Sequence, residues 1–239
     1  ASADIAQAYH ARLLGCEILR LEDFLDFGRP GDLRSRVEAA LELARRDPSL
    51  IKSVLYRNAP VGLHALATLS AARPEGVVGP DPDSLRLLGR LLRRSMLLQE
   101  AALALMKGVA PTLALGVEKG FVGTCETFYA ALELGVDYVQ WVNCHEPESI
   151  MFKRYRPQTF REHPFSISEA NWARLRARPW REEYRAAVTA EFERGYKDGA
   201  WFRYKGLVSS KEFAGRAELQ QRLGLDPAKK TAIVYSHIL

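Results

Sequence analysis

Cysteine is scarce in this chain of 239 residues: Cys16, Cys125 and Cys144 are widely spaced, odd in number and contain no CxxC pair. That argues against a disulfide-stapled scaffold or a zinc knuckle and points to a reducing, cytoplasmic home. No apolar run approaches the ~18 residues of a membrane-spanning helix, and the N-terminus lacks a basic-then-apolar signal pattern. There is no Walker loop, no GxGxxG, no recognisable metal-ligand spacing and no internal repeat. No cofactor and no structural metal are therefore expected.

What is there describes a globular chain. It is 47% hydrophobic and 26% charged, long enough for one large core or two small ones. The net charge of +5 is local: residues 151–185 hold nine Lys/Arg against four Glu, so the rest is neutral. A local basic block points to a local anionic partner. Ala1 is not an initiator Met, and residues 231–239 (TAIVYSHIL) read as an apolar strand with no polar finish. An unpaired apolar edge invites aggregation, so the chain reads as a segment of a longer protein.

Periodicity and breakers predict an α/β fold. Helices are expected over 4–14, 33–46, 63–72 and 85–107, the last capped by Asp83 or Ser84. Residues 16–21 alternate as a strand does, and 50–56 fit either strand or helix. Residues 111–118 (PTLALGVE) are near-continuously apolar, as a strand buried on both faces requires. A short helix from Cys125 stopped by Gly135, then strand 136–142 (VDYVQWV), complete a βαβ unit with parallel strands. At least three parallel strands are expected, flanked by helices in a Rossmann-like sheet. Residues 166–223 read as helical, starting at Ser166 or Ser168, with breaks at 195–199 (GYKDG) and Gly206.

Ligands of open parallel sheets sit beyond the carboxyl ends of the strands. The first loop there is EKGFVGT (118–124). Gly120 and Gly123 allow tight turns, the N–H groups up to Thr124 open a helix that could hold an anion, and Glu118 is the candidate carboxylate. The alternative is a plain tight turn. The second loop, NCHEPE (143–148), offers His145 as a base or hydrogen-bond donor near neutral pH. The third segment, residues 151–165, interleaves Arg154, Arg156, Arg161 and His163 with aromatics, which suits phosphate-bearing ligands. Its prolines suit a shaped surface loop rather than a core segment. His10 and His64, on apolar helices, read as core or surface residues. The stripe Arg86, Arg90, Arg93, Arg94 reads first as a solvated face, with nucleic-acid contact the lesser alternative.

Residues 136–180, from VDYVQWVNCHEPESIMFKRYRP to NWARLRARPW, resemble bacterial capsular and surface-polysaccharide biosynthesis proteins of the glycosyltransferase-like GT-B type. LGLDPAKKTAIVYSHIL (223–239) and YRNAPVGLHALATL (56–69) add to the likeness, which covers roughly residues 50–239. The resemblance implies two Rossmann-like domains facing across a cleft, with residues 1–224 as the acceptor-side domain. Residues 225–239 would be the hinge and first strand of a donor-side domain, with Ser236 and His237 opening its donor-phosphate loop. It further implies a nucleotide-sugar donor, a saccharide acceptor, transfer without a metal, and peripheral association with the inner membrane surface. His145 and Glu118 would be catalytic; Gly120, Gly123, Thr124, Arg154, Arg156, Arg161 and His163 would bind substrate. A second reading is a non-catalytic Rossmann-like module that binds an anionic ligand or partner. Nucleic-acid binding is a third and less favoured one, since the two basic stretches need not share a face.

Overall fold

A computed structural model describes residues 9, 12–25, 30–73, 76–144, 149–197 and 215–230. They fall into two compact units. One runs to Val142 and takes in Phe152–Glu162; the other holds Asn143–Met151 and the chain from His163 onward. This division does not fall at residue 224, and residues 231–239 lie outside the described ones.

Three helices form the first core of the first unit. Helix α1 (Pro30–Arg46) buries Leu33, Val37, Ala40, Leu41 and Ala44, one apolar stripe at helical spacing. Asp47 ends it and caps the 3-10 turn Pro48–Ser53, accepting from the Ser49 amide at 2.8 Å. The segment open to strand or helix is thus 3-10 helical as far as Ser53. Tyr56 and Ala59 then exchange backbone hydrogen bonds, both 2.9 Å, around Arg57 and Asn58. Both central residues are left-handed, φ 47 and 63, the twist a two-residue reversal needs. Helix α2 (Val61–Ala71) is buried almost all round. It packs so close to the preceding turn that a Cβ on Gly62 would collide with the Ile51 carbonyl.

Helix α3 (Pro82–Val109) starts earlier than its apolar pattern. Asp81, not Asp83 or Ser84, is the N-cap, accepting from the Ser84 amide at 2.9 Å. Pro82 fits the first helical position because its missing N–H would be unpaired there anyway. Leu88, Leu92 and Met96 of α3 pack with α1 and α2, whereas Ala102, Leu103 and Met106 join the second core around the sheet.

Strand β1 (Leu113–Gly116), helix α4 (Cys125–Glu133) and strand β2 (Asp137–Asn143) form the expected parallel unit, in register from Leu113 opposite Asp137 to Gly116 opposite Gln140. The rest of the sheet differs from expectation. The third strand is β3 (Ile150–Tyr155), and the order β1-β2-β3 makes a small mixed sheet rather than three parallel strands. Residues 16–20 are exposed, belong to no strand of the sheet and lead into a 3-10 turn, Leu21–Phe24. Their alternation reports extended backbone, which becomes a strand only where a neighbour supplies the ladder.

β1 is an edge strand, not one buried on both faces. Its inward row packs on α4, where Tyr138 and Tyr155 meet Phe128 edge-on at 4.9 and 5.4 Å. Gly116 lies against the Tyr138 hydroxyl, where a Cβ would collide. Its outward row, Leu113 (53%) and Leu115 (61%), is exposed, as are Val117 and, on β3, Phe152.

In the second unit, Ser168 caps helix α5 (Glu169–Arg176), accepting from the Asn171 amide at 3.3 Å. Helix α6 (Glu182–Phe192) continues into a π turn, Glu193–Lys197, and α7 (Arg216–Arg222) stops before Gly224, φ 62. Neither α5 nor α6 contains a buried residue. The break expected from Gly195 is absent as far as Lys197, since the π turn runs through it; Gly199 and Gly206 lie outside the described residues. Among the described residues, no helix is long and apolar enough to cross a membrane.

Candidate functional site

The loop from β1 to α4, residues 117–124, is tied down through most of its backbone amides. Glu118 folds back on it, and its Oε1 accepts from the Lys119 and Gly120 amides at 2.7 and 2.8 Å. Thr68 on α2 accepts from the Val122 amide at 2.9 Å and donates to the His64 carbonyl at 2.7 Å. The Gly123 amide donates to Glu126 Oε2 at 2.8 Å, and the Thr124 and Cys125 amides donate to the Phe121 carbonyl. Gly123 has φ 101, a conformation closed to most side chains. Glu126 itself is fully buried and also accepts from Ser95 on α3 at 2.6 Å. A carboxylate at the first turn of α4 is well placed against the helix dipole. Burial, with the neighbouring Glu126 charge, pushes the Cys125 thiol far above its usual range and leaves it unreactive.

His64 joins the loop to α4. Its Nδ1 lies 2.8 Å from the Gly120 carbonyl, which can only accept, so Nδ1 carries the proton. Nε2 is then the acceptor for the Tyr129 hydroxyl at 3.3 Å. Burial lowers the pKa of His64 and keeps the ring neutral, and burial likewise raises the Tyr129 phenol. The result is a directed relay, from the Tyr129 O–H through the imidazole to Gly120.

Lys119 holds a second segment to the same loop. Its ammonium donates to the carbonyls of Phe160 and Glu162 at 2.6 and 3.0 Å. It also lies 4.1 Å from the centre of the Tyr155 ring and 5.2 Å from that of Phe128. Burial brings its pKa down to about 8, against the pull of Glu118 and Glu162. Beside it, Lys153 pairs with Glu162 at 2.6 Å.

Glu118, Gly120, Gly123 and Thr124 therefore lie on one loop, and Lys119 laces that loop to the turn bearing Arg161. Arg161 is exposed, near enough to Tyr129 to pull its pKa back down, and stacked over Phe160 at 5.2 Å. Arg156 is exposed on the same turn. Arg154 departs from expectation: it is paired with Asp137, whose carboxyl it holds below the usual range. The reason is that residues 150–155 form a strand rather than a loop, which sets Arg154 on the outward row beside β2. His163, in the second unit, is exposed, and its Nδ1 accepts from the Phe165 amide at 3.2 Å. His145, Ser236 and His237 lie outside the described residues.

The anion site expected at Gly120–Thr124 is filled by the protein itself: the Lys119 and Gly120 amides hold Glu118, and the Gly123 amide holds Glu126. Glu118 is fixed through Oε1 alone, and Oε2 has no hydrogen bond among the described residues. The contributions of Lys119, Tyr129 and Glu126 are not apparent from local sequence; the one signal is His64 and Thr68, polar residues one turn apart on an apolar helix. Among the described residues, no group of three or more His, Cys, Asp or Glu could hold a metal. At the significance applied, no protein-family model, curated protein or solved structure matches this chain.

Proposed function

We propose that this chain is the acceptor-side, Rossmann-like half of a GT-B-like glycosyltransferase acting in cell-surface polysaccharide synthesis. The observation that carries this reading is Glu118, at the carboxyl end of β1, oriented by two amides on Oε1 and open on Oε2. A carboxylate held this way can take the proton of an acceptor hydroxyl as its oxygen attacks the sugar carbon. Arg156 and Arg161 then serve the leaving diphosphate, and His145 is the second candidate base. Supplied with a panel of nucleotide sugars and oligosaccharide acceptors, the full-length protein with both halves should release nucleoside diphosphate. Glu118→Gln should lower that turnover about 10²–10⁴-fold while leaving the melting temperature nearly unchanged. No turnover with any donor, or full turnover by Glu118→Gln, overturns the reading.

A second reading is supported by the self-filled loop: a non-catalytic module in which Glu118 is a strut. It predicts ligand binding without turnover, and a fall in melting temperature for Glu118→Gln.

A further inference from the structure

Helix α2 grips the loop over 118–124 at two points one turn apart. Thr68 accepts from the Val122 amide at 2.9 Å, and His64 Nδ1 donates to the Gly120 carbonyl at 2.8 Å. The two grips differ in kind. A threonine hydroxyl does not titrate, whereas an imidazole changes both its charge and its hydrogen-bonding role near neutral pH. The grip at His64 also reaches α4, because Nε2 accepts from the Tyr129 hydroxyl at 3.3 Å. That hydroxyl has no other hydrogen bond among the described residues. A second proton on the ring would sit on Nε2 and set donor against donor, so Tyr129 would have to turn its O–H away. It would also place a charge on a side chain only 5% exposed. Burial, the largest effect, acts with Lys119 against that charge and outweighs the Gly120 carbonyl and Glu118, which favour it. Arg161 adds positive charge on the Tyr129 side. The remaining ionisable groups nearby are committed elsewhere. Glu126 on α4 is held by Ser95 and the Gly123 amide, Glu100 on α3 by Tyr56 and Arg57, and Lys52 of the 3-10 turn is exposed beside Asp47.

We propose that His64 is a pH-sensitive latch for the loop over 118–124: the neutral ring fastens the loop to α2 and α4, and a proton taken from solvent at Nε2 releases it. The closed ring resists that proton and the open, solvated ring does not, so acid favours the open loop. Release therefore lies below the ordinary histidine value of 6.5, with the loop closed at higher pH and open at lower. Glu118 is tied to this loop through the Lys119 and Gly120 amides. The latch concerns closure alone and stands whether or not Glu118 takes part in chemistry.

The test follows amide exchange in the whole chain one pH unit above and one below 6.5, with rates corrected for their intrinsic pH dependence. Peptides covering 118–124 should lose about tenfold in protection at the lower pH, which is what one proton allows. His64→Asn keeps a donor for the Gly120 carbonyl but cannot titrate, so its protection should be the same at both. Nitrogen NMR of the wild type should show the neutral His64 ring protonated at Nδ1 and titrating below 6.5. Tyr129→Phe removes the donor to Nε2, so it should move that midpoint upward and thereby assign the signal. Wild-type protection that is equal at the two pH values overturns the inference. So does an equal loss in His64→Asn, which would place the titrating group elsewhere. A neutral ring protonated at Nε2, or a midpoint that Tyr129→Phe leaves unmoved, overturns it as well. If His64→Asn does not fold, the wild-type exchange and the ring titration decide. None of these measurements involves turnover, so their outcome is separate from that of the Glu118→Gln test.

Discussion

Lys119 shows how one side chain sets both geometry and pH response. Its ammonium joins segments 41 and 43 residues apart through the Phe160 and Glu162 carbonyls. Removing it leaves the Phe160 carbonyl without this donor and the Glu162 carbonyl to the more distant Tyr155 hydroxyl at 3.3 Å, so Lys119→Met should cost about 1–3 kcal/mol. The pH dependence has a definite sign. Burial lowers the folded pKa to about 8, while the unfolded chain titrates at the ordinary lysine value of 10.5. Between those values the unfolded state binds more protons, so this group makes the protein more stable as pH rises across that window. Denaturant midpoints of the wild type and Lys119→Met should therefore diverge in favour of the wild type from about pH 8 to 10.5. Parallel profiles would mean that burial does not perturb this amine. Tyrosine titration is common to both proteins and cancels in the comparison.

At the scale of elements, the sheet has one covered face and one open face, and the two should respond differently to substitution. Phe128 is fully buried against Tyr138 and Tyr155, so Phe128→Ala should cost about 3–5 kcal/mol. Leu115 is 61% exposed on the outward row, so Leu115→Thr should change the denaturation midpoint by no more than about 0.5 kcal/mol. A large loss at Leu115 would mean that this face is covered in solution. The same strands show where sequence reading works. β1, α4 and β2 were legible because apolar runs of strand length are separated by glycines that stop a short helix. β3 was not, because its inward row contains Lys153, only 15% exposed and paired with Glu162, so it reads as a basic loop. Glu118 was legible from its place at the end of a strand. The relay through His64 and Tyr129 was not, since its partners lie 56 and 65 residues apart and only tertiary packing joins them.

Across the whole molecule, buried side chains are unevenly distributed, and local stability should follow them. Helices α2 and α3 supply half of the first core, with Val61, Ala65, Leu69, Leu88, Leu92 and Met96 at most 4% exposed. Their amides can exchange with solvent only when that core opens, which costs close to the global unfolding free energy. α5 and α6 have no buried side chain to hold them closed, so their amides need only local fraying. Hydrogen exchange read by mass spectrometry should therefore find peptides from 61–71 and 88–106 protected to the global limit. Peptides from 169–192 should exchange at least about 10²-fold faster, a gap of roughly 2.7 kcal/mol in opening free energy. Equal protection of both regions would show that α5 and α6 are packed in solution.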